Sequence, residues 1–323
     1  MAYHTTPYLL LFLPAALLFY QITPAKWRSY TLLIFSYLFF WSFSEKLIIY
    51  LIGTTFLTHH ICIWMDTMDK RDKRKKRVFQ LGILLLLGTI LCLKYRNFFF
   101  GNVSKLAMVL HIDWSYQDQL IFLPIGISFY TLSAIGYMAD VYWGKVKAEY
   151  SLVKTALFLG FFPVIVEGPI CRWEDVEDTL FKNESVKAEN VFKGCYRIIW
   201  GLFKKMIIAD RLAVLVDKVY VGYESYSGAV IVAAAISYTI QLYMEFSGCM
   251  DMVIGSAGLF GIRLPENFSQ PFFAKTCTDF WKRWHITLGV WFKNYIFYPV
   301  SISKTARKWN KFTRKHFKGD FGK

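Results

Sequence analysis

The stretch DKRDKRKKRVFQLGILLLLGTILCLKY, residues 69–95, decides the fold class. It places a run of basic residues directly before the apolar segment Val78–Tyr95. A helix of about 20 apolar residues crosses a bilayer core about 30 Å thick. Lys and Arg concentrate in the cytoplasmic loops of membrane proteins. The stretch therefore predicts a transmembrane helix preceded by a cytoplasmic loop, Lys70–Arg77.

The same alternation of apolar runs and short polar breaks continues along the chain. The other predicted spans are Tyr8–Ile22, Trp27–Phe43, Leu47–Met65, Leu120–Trp143, Leu152–Val166, Val191–Ile208, Ala229–Phe246 and Phe280–Val300. Only helices and closed barrels satisfy backbone polar groups in lipid. The pattern predicts an all-α, polytopic integral membrane protein with about eight to ten transmembrane or re-entrant helices. The last span carries several charges, so we expect it to be broken or only partly embedded.

Composition excludes other classes of protein. Of the 323 residues, 55% are hydrophobic and 19% are aromatic, which excludes a disordered chain and disfavours an ordinary soluble domain. The net charge of +15 raises the question of nucleic acid, but the basic residues lie between apolar runs and at the C-terminus, so no nucleic-acid partner is predicted. The six cysteines are dispersed, without metal-ligand or disulfide spacing, so no metal site is predicted.

Ionisable residues inside apolar runs are the first candidates for function, because they are costly in a membrane. His59 and His60 point about 100° apart on a helix, and either function or bonding between neighbouring helices explains them. Glu245 and Asp251 are the residues hardest to explain as packing. Their spacing of six puts them on different helix faces, so no shared carboxylate pair is predicted. Glycines that follow at a spacing of three predict a close helix approach or a turn.

A third cluster combines aromatic, basic and imidazole groups, Thr278–Leu288. Read as one helix, it predicts an ion pair between Asp279 and Arg283. It also places His285 on an aromatic face with Trp281, where a neutral imidazole is able to act as a base. The alternative is an aromatic belt at the membrane interface with snorkelling Lys and Arg.

Several motifs resemble, in order and spacing, those of the membrane-bound O-acyltransferase family. They are FSGCMDMVIG at 246–255, LFG at 259–261, PENF at 265–268, QPFF at 270–273 and DFWKRWHITL at 279–288. Upstream, LPIGISFYT at 123–131 and EGPI at 167–170 look like the branch with the bacterial alginate O-acetylation membrane proteins; teichoic acid D-alanyl transfer proteins match less well. The motifs span residues 120–300, and the earlier spans fit in hydropathy only.

The resemblance implies an O-acyltransferase, and by branch an O-acetyltransferase, of the cytoplasmic membrane. It implies no bound cofactor and a cytoplasmic thioester donor, acetyl-CoA or another acyl thioester. The implied acceptor is a hydroxyl on an extracytoplasmic polysaccharide or other envelope glycan, reached directly or through a periplasmic or extracellular acyltransferase partner. His285 matches a family histidine, and the resemblance implies that it is a catalytic residue with a supporting or donor-side role. The resemblance gives supporting or tunnel-lining roles to Asp279, Trp281, Arg283, Trp284, Glu245 and Asp251.

The family carries a second histidine, in a W-H-G motif on a later helix, and the printed sequence contains no such motif. We therefore expect a chain that is truncated, inactive or split. The alternatives are a non-catalytic membrane scaffold and an exporter subunit of an envelope polysaccharide system. The predicted organisation is one membrane domain, 1–323, with variable N-terminal spans (1–119), a motif-bearing core (120–300) and a basic cytoplasmic tail or loop (301–323).

Overall fold

The computed structural model describes residues 2–69, 72–117 and 123–316, and within them the regular elements are helices. Met1, Lys70, Arg71 and residues 118–122 and 317–323, which belong to predicted segments, lie outside the described residues. The chain forms two compact units, Met1–Pro265 and Glu266–Lys323. The all-α membrane class predicted from the sequence is confirmed, whereas the single-domain organisation stays a prediction.

The first unit is a bundle of helices. Its α-helices are α1 (Leu13–Ile22), α2 (Arg28–Ser44), α3 (Ile48–Asp66), α4 (Lys73–Lys94), α5 (Arg96–Val109), α6 (Ile127–Trp143), α7 (Leu152–Gly160), α8 (Trp173–Leu180), α9 (Ala188–Leu202), α10 (Asp210–Val221) and α11 (Gly228–Leu259). The π-helical turns Pro7–Phe12 and Phe203–Ala209 join α1 and α10 to the residues before them.

The second unit contains shorter helices. These are α12 (Cys277–Arg283), α13 (Ile286–Phe292), α14 (Tyr298–Ser301) and α15 (Lys304–His316), with a π-helical turn at Lys293–Phe297. The predicted span Phe280–Val300 is therefore broken, as its charges indicated. Within this unit Phe268 and Trp284 form an isolated antiparallel bridge.

In the described part of the chain, three helical segments are long and apolar enough to cross a membrane: Ala25–Asp66, Lys73–Lys94 and Gly228–Leu259. The first contains α2 and α3, which are separated at Glu45, where φ is 42°. The most apolar window of Gly228–Leu259 is only 6% buried. A long helix that exposes apolar side chains requires an apolar environment, which a bilayer supplies.

Other predicted spans differ from the helices in length. Leu152–Val166 is helical only to Gly160, because the chain turns at residues 161–168. Ala229–Phe246 continues to Leu259, since residues 247–257 are buried and pack as helix. Helix α6 begins at Ile127, after Gly126, whose φ is +78° and where a Cβ would lie 1.9 Å from the Ile165 carbonyl oxygen. Only glycine fits this approach.

Glycines let α9 and α11 pack backbone to backbone. A Cβ on Gly201 would lie 2.5 Å from the carbonyl oxygen of Gly248, and one on Gly255 would lie 2.8 Å from that of Gly194. Small residues at a membrane helix interface allow this close contact. The close helix approach predicted from the glycine spacing is thus confirmed for Gly255, and Gly261 adopts the turn conformation with φ +76°.

Replacing Gly201 by Ala is expected to lower the free energy of unfolding by roughly 1–3 kcal/mol, because the new methyl group overlaps α11. Thermal unfolding of the purified protein in detergent measures the change. The matched control is Gly258→Ala, since a Cβ there meets nothing within 4 Å. That variant is expected to be neutral or slightly stabilising. Equal destabilisation by both variants contradicts the proposed role of the helix approach.

Candidate functional site

The sequence-predicted site residues divide between the two units. Glu245 and Asp251 lie on α11 in the first unit, whereas Asp279, Trp281, Arg283, Trp284 and His285 lie in the second. His59 is buried and its Nδ1 lies 3.1 Å from Thr155 Oγ1, so it bonds α3 to α7. His60 is exposed and its Nδ1 bonds the Phe56 carbonyl oxygen of its own helix. The interpretation of the histidine pair as a link between helices is confirmed for His59.

Helix α12 is short and its termini are specified locally. Thr276 caps it by accepting a hydrogen bond from the Asp279 amide at 3.1 Å. The predicted ion pair forms, with Arg283 Nε 2.9 Å from Asp279 Oδ1. The hydrogen bond from Arg283 lowers the pKa of Asp279, so this carboxylate stays ionised at neutral pH. Asp279 in the first turn and Arg283 in the last also suit the helix dipole.

The helix breaks between Arg283 and Ile286, so the prediction that His285 shares one helix face with Trp281 is wrong. His285 adopts a left-handed conformation, with φ 46° and ψ 52°, and stands before α13. The segment after Pro265 satisfies backbone groups at the break. Ile286 N donates to the Asn267 carbonyl oxygen, and Ser269 N donates to the Arg283 carbonyl oxygen, each at 3.0 Å. These bonds between residues distant in sequence replace the hydrogen bonds of a continuous helix. The helical periodicity of the sequence therefore gives the wrong position for His285.

Asn267 organises the groups around His285. Its side chain is fully buried, and its Oδ1 accepts hydrogen bonds from Thr287 N at 3.1 Å and Thr287 Oγ1 at 3.0 Å. His285 Nδ1 lies 3.1 Å from the same oxygen. A backbone N–H only donates, so Oδ1 is assigned as the acceptor and His285 Nδ1 as the protonated nitrogen. The lone pair of the neutral imidazole is then on Nε2.

The two tryptophans of this cluster have different environments. Trp284 packs between Phe280 and Phe268, with ring centroids 5.7 Å and 5.1 Å away, and anchors the break. Trp281 is 65% exposed. Its exposure fits the interfacial aromatic alternative better than a buried wall beside His285.

The carboxylates of α11 are ion-paired with basic residues of α9 and the π-helical turn. Asp251 lies 2.6 Å from Lys204 Nζ and 3.1 Å from Arg197 Nε, and Glu245 lies 2.6 Å from Lys205 Nζ. The Lys204 and Asp251 side chains are only 15% and 13% exposed. A charge in an apolar environment requires such a partner. The structure thus pairs Glu245 and Asp251 with cations that the sequence did not connect to them.

Sequence reasoning missed Asn267, Thr287, Lys204, Lys205 and Arg197. Lys204 and Lys205 carried a signal, because they interrupt an apolar run that also contains Arg197. Asn267 carried a weaker one, a single amide in a resembling motif. No periodic pattern in the sequence connects these residues to their partners, because the partners lie on other structural elements.

Replacing Asn267 by Ala is expected to reduce stability by about 1–3 kcal/mol, because it removes the acceptor that three donors share. The substitution is also expected to let the His285 ring adopt other orientations, because Nδ1 loses its partner. The control is Thr287→Val, which removes the hydroxyl bond and keeps the bond to His285. Thermal unfolding compares the two variants, and a loss for Asn267→Ala no larger than for Thr287→Val contradicts the organising role.

The regular elements of the described residues are helices, three helical segments are long and apolar enough to span a bilayer, and ion pairs join neighbouring helices, as in a multi-pass membrane protein. The family model for the membrane-bound O-acyltransferase family matches residues 145–314. The chain belongs to this family, as the motifs around Asp251 and His285 predicted.

Curated relatives agree with that assignment. The chain is 33% identical to the Pseudomonas aeruginosa protein named probable alginate O-acetylase AlgI, over 92% of this chain and 56% of that protein. It is 29% identical to a peptidoglycan O-acetyltransferase of Helicobacter pylori, over 92% of this chain and 61% of that protein. A teichoic acid D-alanyltransferase of Bacillus subtilis is 30% identical over 58% of this chain and 48% of that protein.

These relatives refine the extent of the resemblance. The alginate branch covers more of the chain than the teichoic acid branch, as predicted. The match to the Pseudomonas protein runs over 297 residues, so the likeness extends beyond residues 120–300, and the prediction that the N-terminal spans fit in hydropathy only is wrong. The chain spans 56% and 61% of the lengths of the alginate and peptidoglycan relatives.

Proposed function

We propose that this chain is part of an O-acyltransferase of the cytoplasmic membrane. This enzyme modifies an extracytoplasmic envelope polysaccharide. The acyl group is acetyl, the donor is a cytoplasmic thioester such as acetyl-CoA, and the acceptor is a glycan hydroxyl, reached directly or through a partner protein. The observation that carries the proposal is the arrangement of His285 on Asn267, inside the matched family region. The alginate and peptidoglycan relatives support the acetyl group and the glycan.

The chemistry requires a base, a positioned thioester and stabilisation of the oxyanion. The glycan oxygen attacks the thioester carbonyl carbon, its proton passes to the base, and the thiol leaves as the ester forms. We assign His285 to the donor side, where a ring held by Nδ1 presents the Nε2 lone pair, a hydrogen-bond acceptor, in a constant direction that positions the thioester donor. Proton abstraction is left to the second histidine that the resemblance implies. Asp279 and Arg283 hold the local helix before the break.

The basic side chains near His285 differ in whether another group already engages their charge. Arg283 is engaged by Asp279, and Lys293 Nζ lies 5.5 Å from the centre of the Tyr298 ring. Lys282, which is exposed on α12, is the basic side chain of this cluster that we propose meets an anionic donor such as coenzyme A or a phosphopantetheine carrier.

The test is acyl transfer in membranes that contain the intact gene product. Membranes receive acetyl-CoA labelled in the acetyl group together with envelope glycan, and ester-linked label on the glycan is measured after mild alkali. Label above that of membranes lacking the gene supports the enzyme. Export of unmodified glycan that depends on the gene, without label, favours the exporter. If membranes lacking the gene lose the label, and a catalytically inactive variant of the protein restores it, the scaffold is favoured.

A further inference from the structure

Helix α15 of the second unit is a basic helix that carries exposed aromatic residues. It extends over 13 residues, and Ser303 Oγ caps it by accepting from Ala306 N at 3.1 Å. Lys304, Lys308 and Lys311 are exposed. Nothing in the proposed acyl transfer uses this helix.

The two kinds of side chain lie on different faces of α15. At about 100° per residue, Lys304, Arg307, Lys308 and Lys311 fall within one arc of about 100°. Trp309 and Phe312 fall in the adjacent arc, where their rings are 6.0 Å apart. Trp309 is 65% exposed and Phe312 is 49% exposed. A basic face beside an exposed aromatic face is the pattern of a helix that lies in a membrane interface.

The charge around α15 is uncompensated along the chain. No Asp or Glu occurs between Asp279 and Asp320. The residues just before the helix are apolar and exposed, with Val300 at 59% and Ile302 at 65%. They continue the segment Phe280–Val300, which the sequence predicts to be broken or only partly embedded, and an apolar segment of that kind places the start of α15 near the bilayer surface. An acidic soluble partner would match the cations but would leave the aromatic face unexplained.

We propose that α15 binds in the plane of the membrane to anionic lipid headgroups. The cations of Lys304, Arg307, Lys308 and Lys311 meet lipid phosphates, and Trp309 and Phe312 enter the boundary between headgroups and acyl chains. Each Lys or Arg near an anionic surface adds to the attraction. The second unit is thereby anchored to a leaflet rich in acidic lipid.

Hydrogen exchange of the full chain in nanodiscs tests this surface. The protein is placed in discs of phosphatidylcholine alone and in discs with phosphatidylglycerol, and exchange of the amides of residues 304–312 is followed by mass spectrometry. We expect exchange about tenfold slower in the anionic discs, with the difference falling as salt is raised to about 1 M. Equal exchange in both discs, or a difference that salt leaves unchanged, overturns the proposal.

Paired variants separate charge from helix formation. Lys308→Glu with Lys311→Glu keeps good helix-forming residues and reverses two charges, so the protection in anionic discs is expected to disappear. Lys308→Arg with Lys311→Arg keeps both charges and is expected to retain it. Retained protection in the glutamate variant overturns the lipid site. Protection that appears only when an acidic protein is added to the discs also overturns it, in favour of a protein partner.

Discussion

Asp251→Asn is expected to lower the free energy of unfolding by about 3–5 kcal/mol, the largest stability effect of any single substitution considered. Lys204 and Arg197 converge on this carboxylate at 2.6 Å and 3.1 Å. The amide has nearly the same shape but no charge, so the two cations lose the anion that they share. Removing one member of a buried ionic cluster costs more than the cluster contributes, because the remaining charge stays desolvated. Thermal unfolding in detergent measures the loss.

The matched control for Asp251 is Glu245→Gln on the same helix. Glu245 is 48% exposed, and Lys205 keeps a second carboxylate, Asp210, at 2.8 Å. Its loss is expected to stay below about 1 kcal/mol, as for exposed pairs. A second variant, Lys204→Met, removes one of the opposing charges. When combined with Asp251→Asn it is expected to recover part of the stability. Equal effects of the Asp251 and Glu245 substitutions contradict this account.

His285→Asn is expected to reduce acyl transfer by about 10²-fold or more, the largest effect on activity, because it removes the ring that we propose positions the thioester donor. Asparagine tolerates the left-handed backbone at this position, where φ is 46°, but it lacks an imidazole. The substitution therefore removes the imidazole ring with little backbone strain. The transfer rate in membranes from the labelled acetyl-CoA assay is compared with the amount of folded protein, so that lost activity is distinguished from lost protein.

Two further variants define the contribution of the ring. His285→Gly also accepts the positive φ and is expected to lose as much activity as His285→Asn. Trp281→Phe changes a neighbouring side chain that is 65% exposed, and it is expected to keep most of the activity. Full activity in His285→Asn removes His285 from the proposed site. Loss in Trp281→Phe equal to that in His285→Asn transfers the role to the aromatic surface.

Local pattern was sufficient for the position of the main spans. Val78–Tyr95 corresponds to α4, which begins earlier because Asp72 Oδ1 accepts from Arg74 N at 2.8 Å and caps the helix. The ion pair of Asp279 and Arg283 was likewise predictable, since both partners lie on one helix turn. Hydropathy and i,i+4 spacing are properties of residues close in sequence, so they do not depend on the tertiary contacts of the rest of the chain.

The partners of the buried polar residues were not predictable in this way. Asp251 and Lys204 are 47 residues apart in the sequence, and the distance between them depends on how α11 lies against the π-helical turn. Asn267 and His285 are separated by 18 residues, and the contact between them requires the helix to stop at Arg283. A helical periodicity assigned from the sequence assumes continuous backbone hydrogen bonds along one helix. Here they are replaced by the bonds from Ile286 N to the Asn267 carbonyl oxygen and from Ser269 N to the Arg283 carbonyl oxygen.

The sequence by itself determined that this protein is an all-α membrane protein of the membrane-bound O-acyltransferase family, because apolar length and motif order are carried by neighbouring residues. Only the tertiary structure decided which cations neutralise Asp251, where the helix breaks so that His285 Nδ1 meets Asn267 Oδ1, and how Gly201 meets Gly248. Those contacts depend on helix register and close approach, and register is set by the packing of elements distant in sequence.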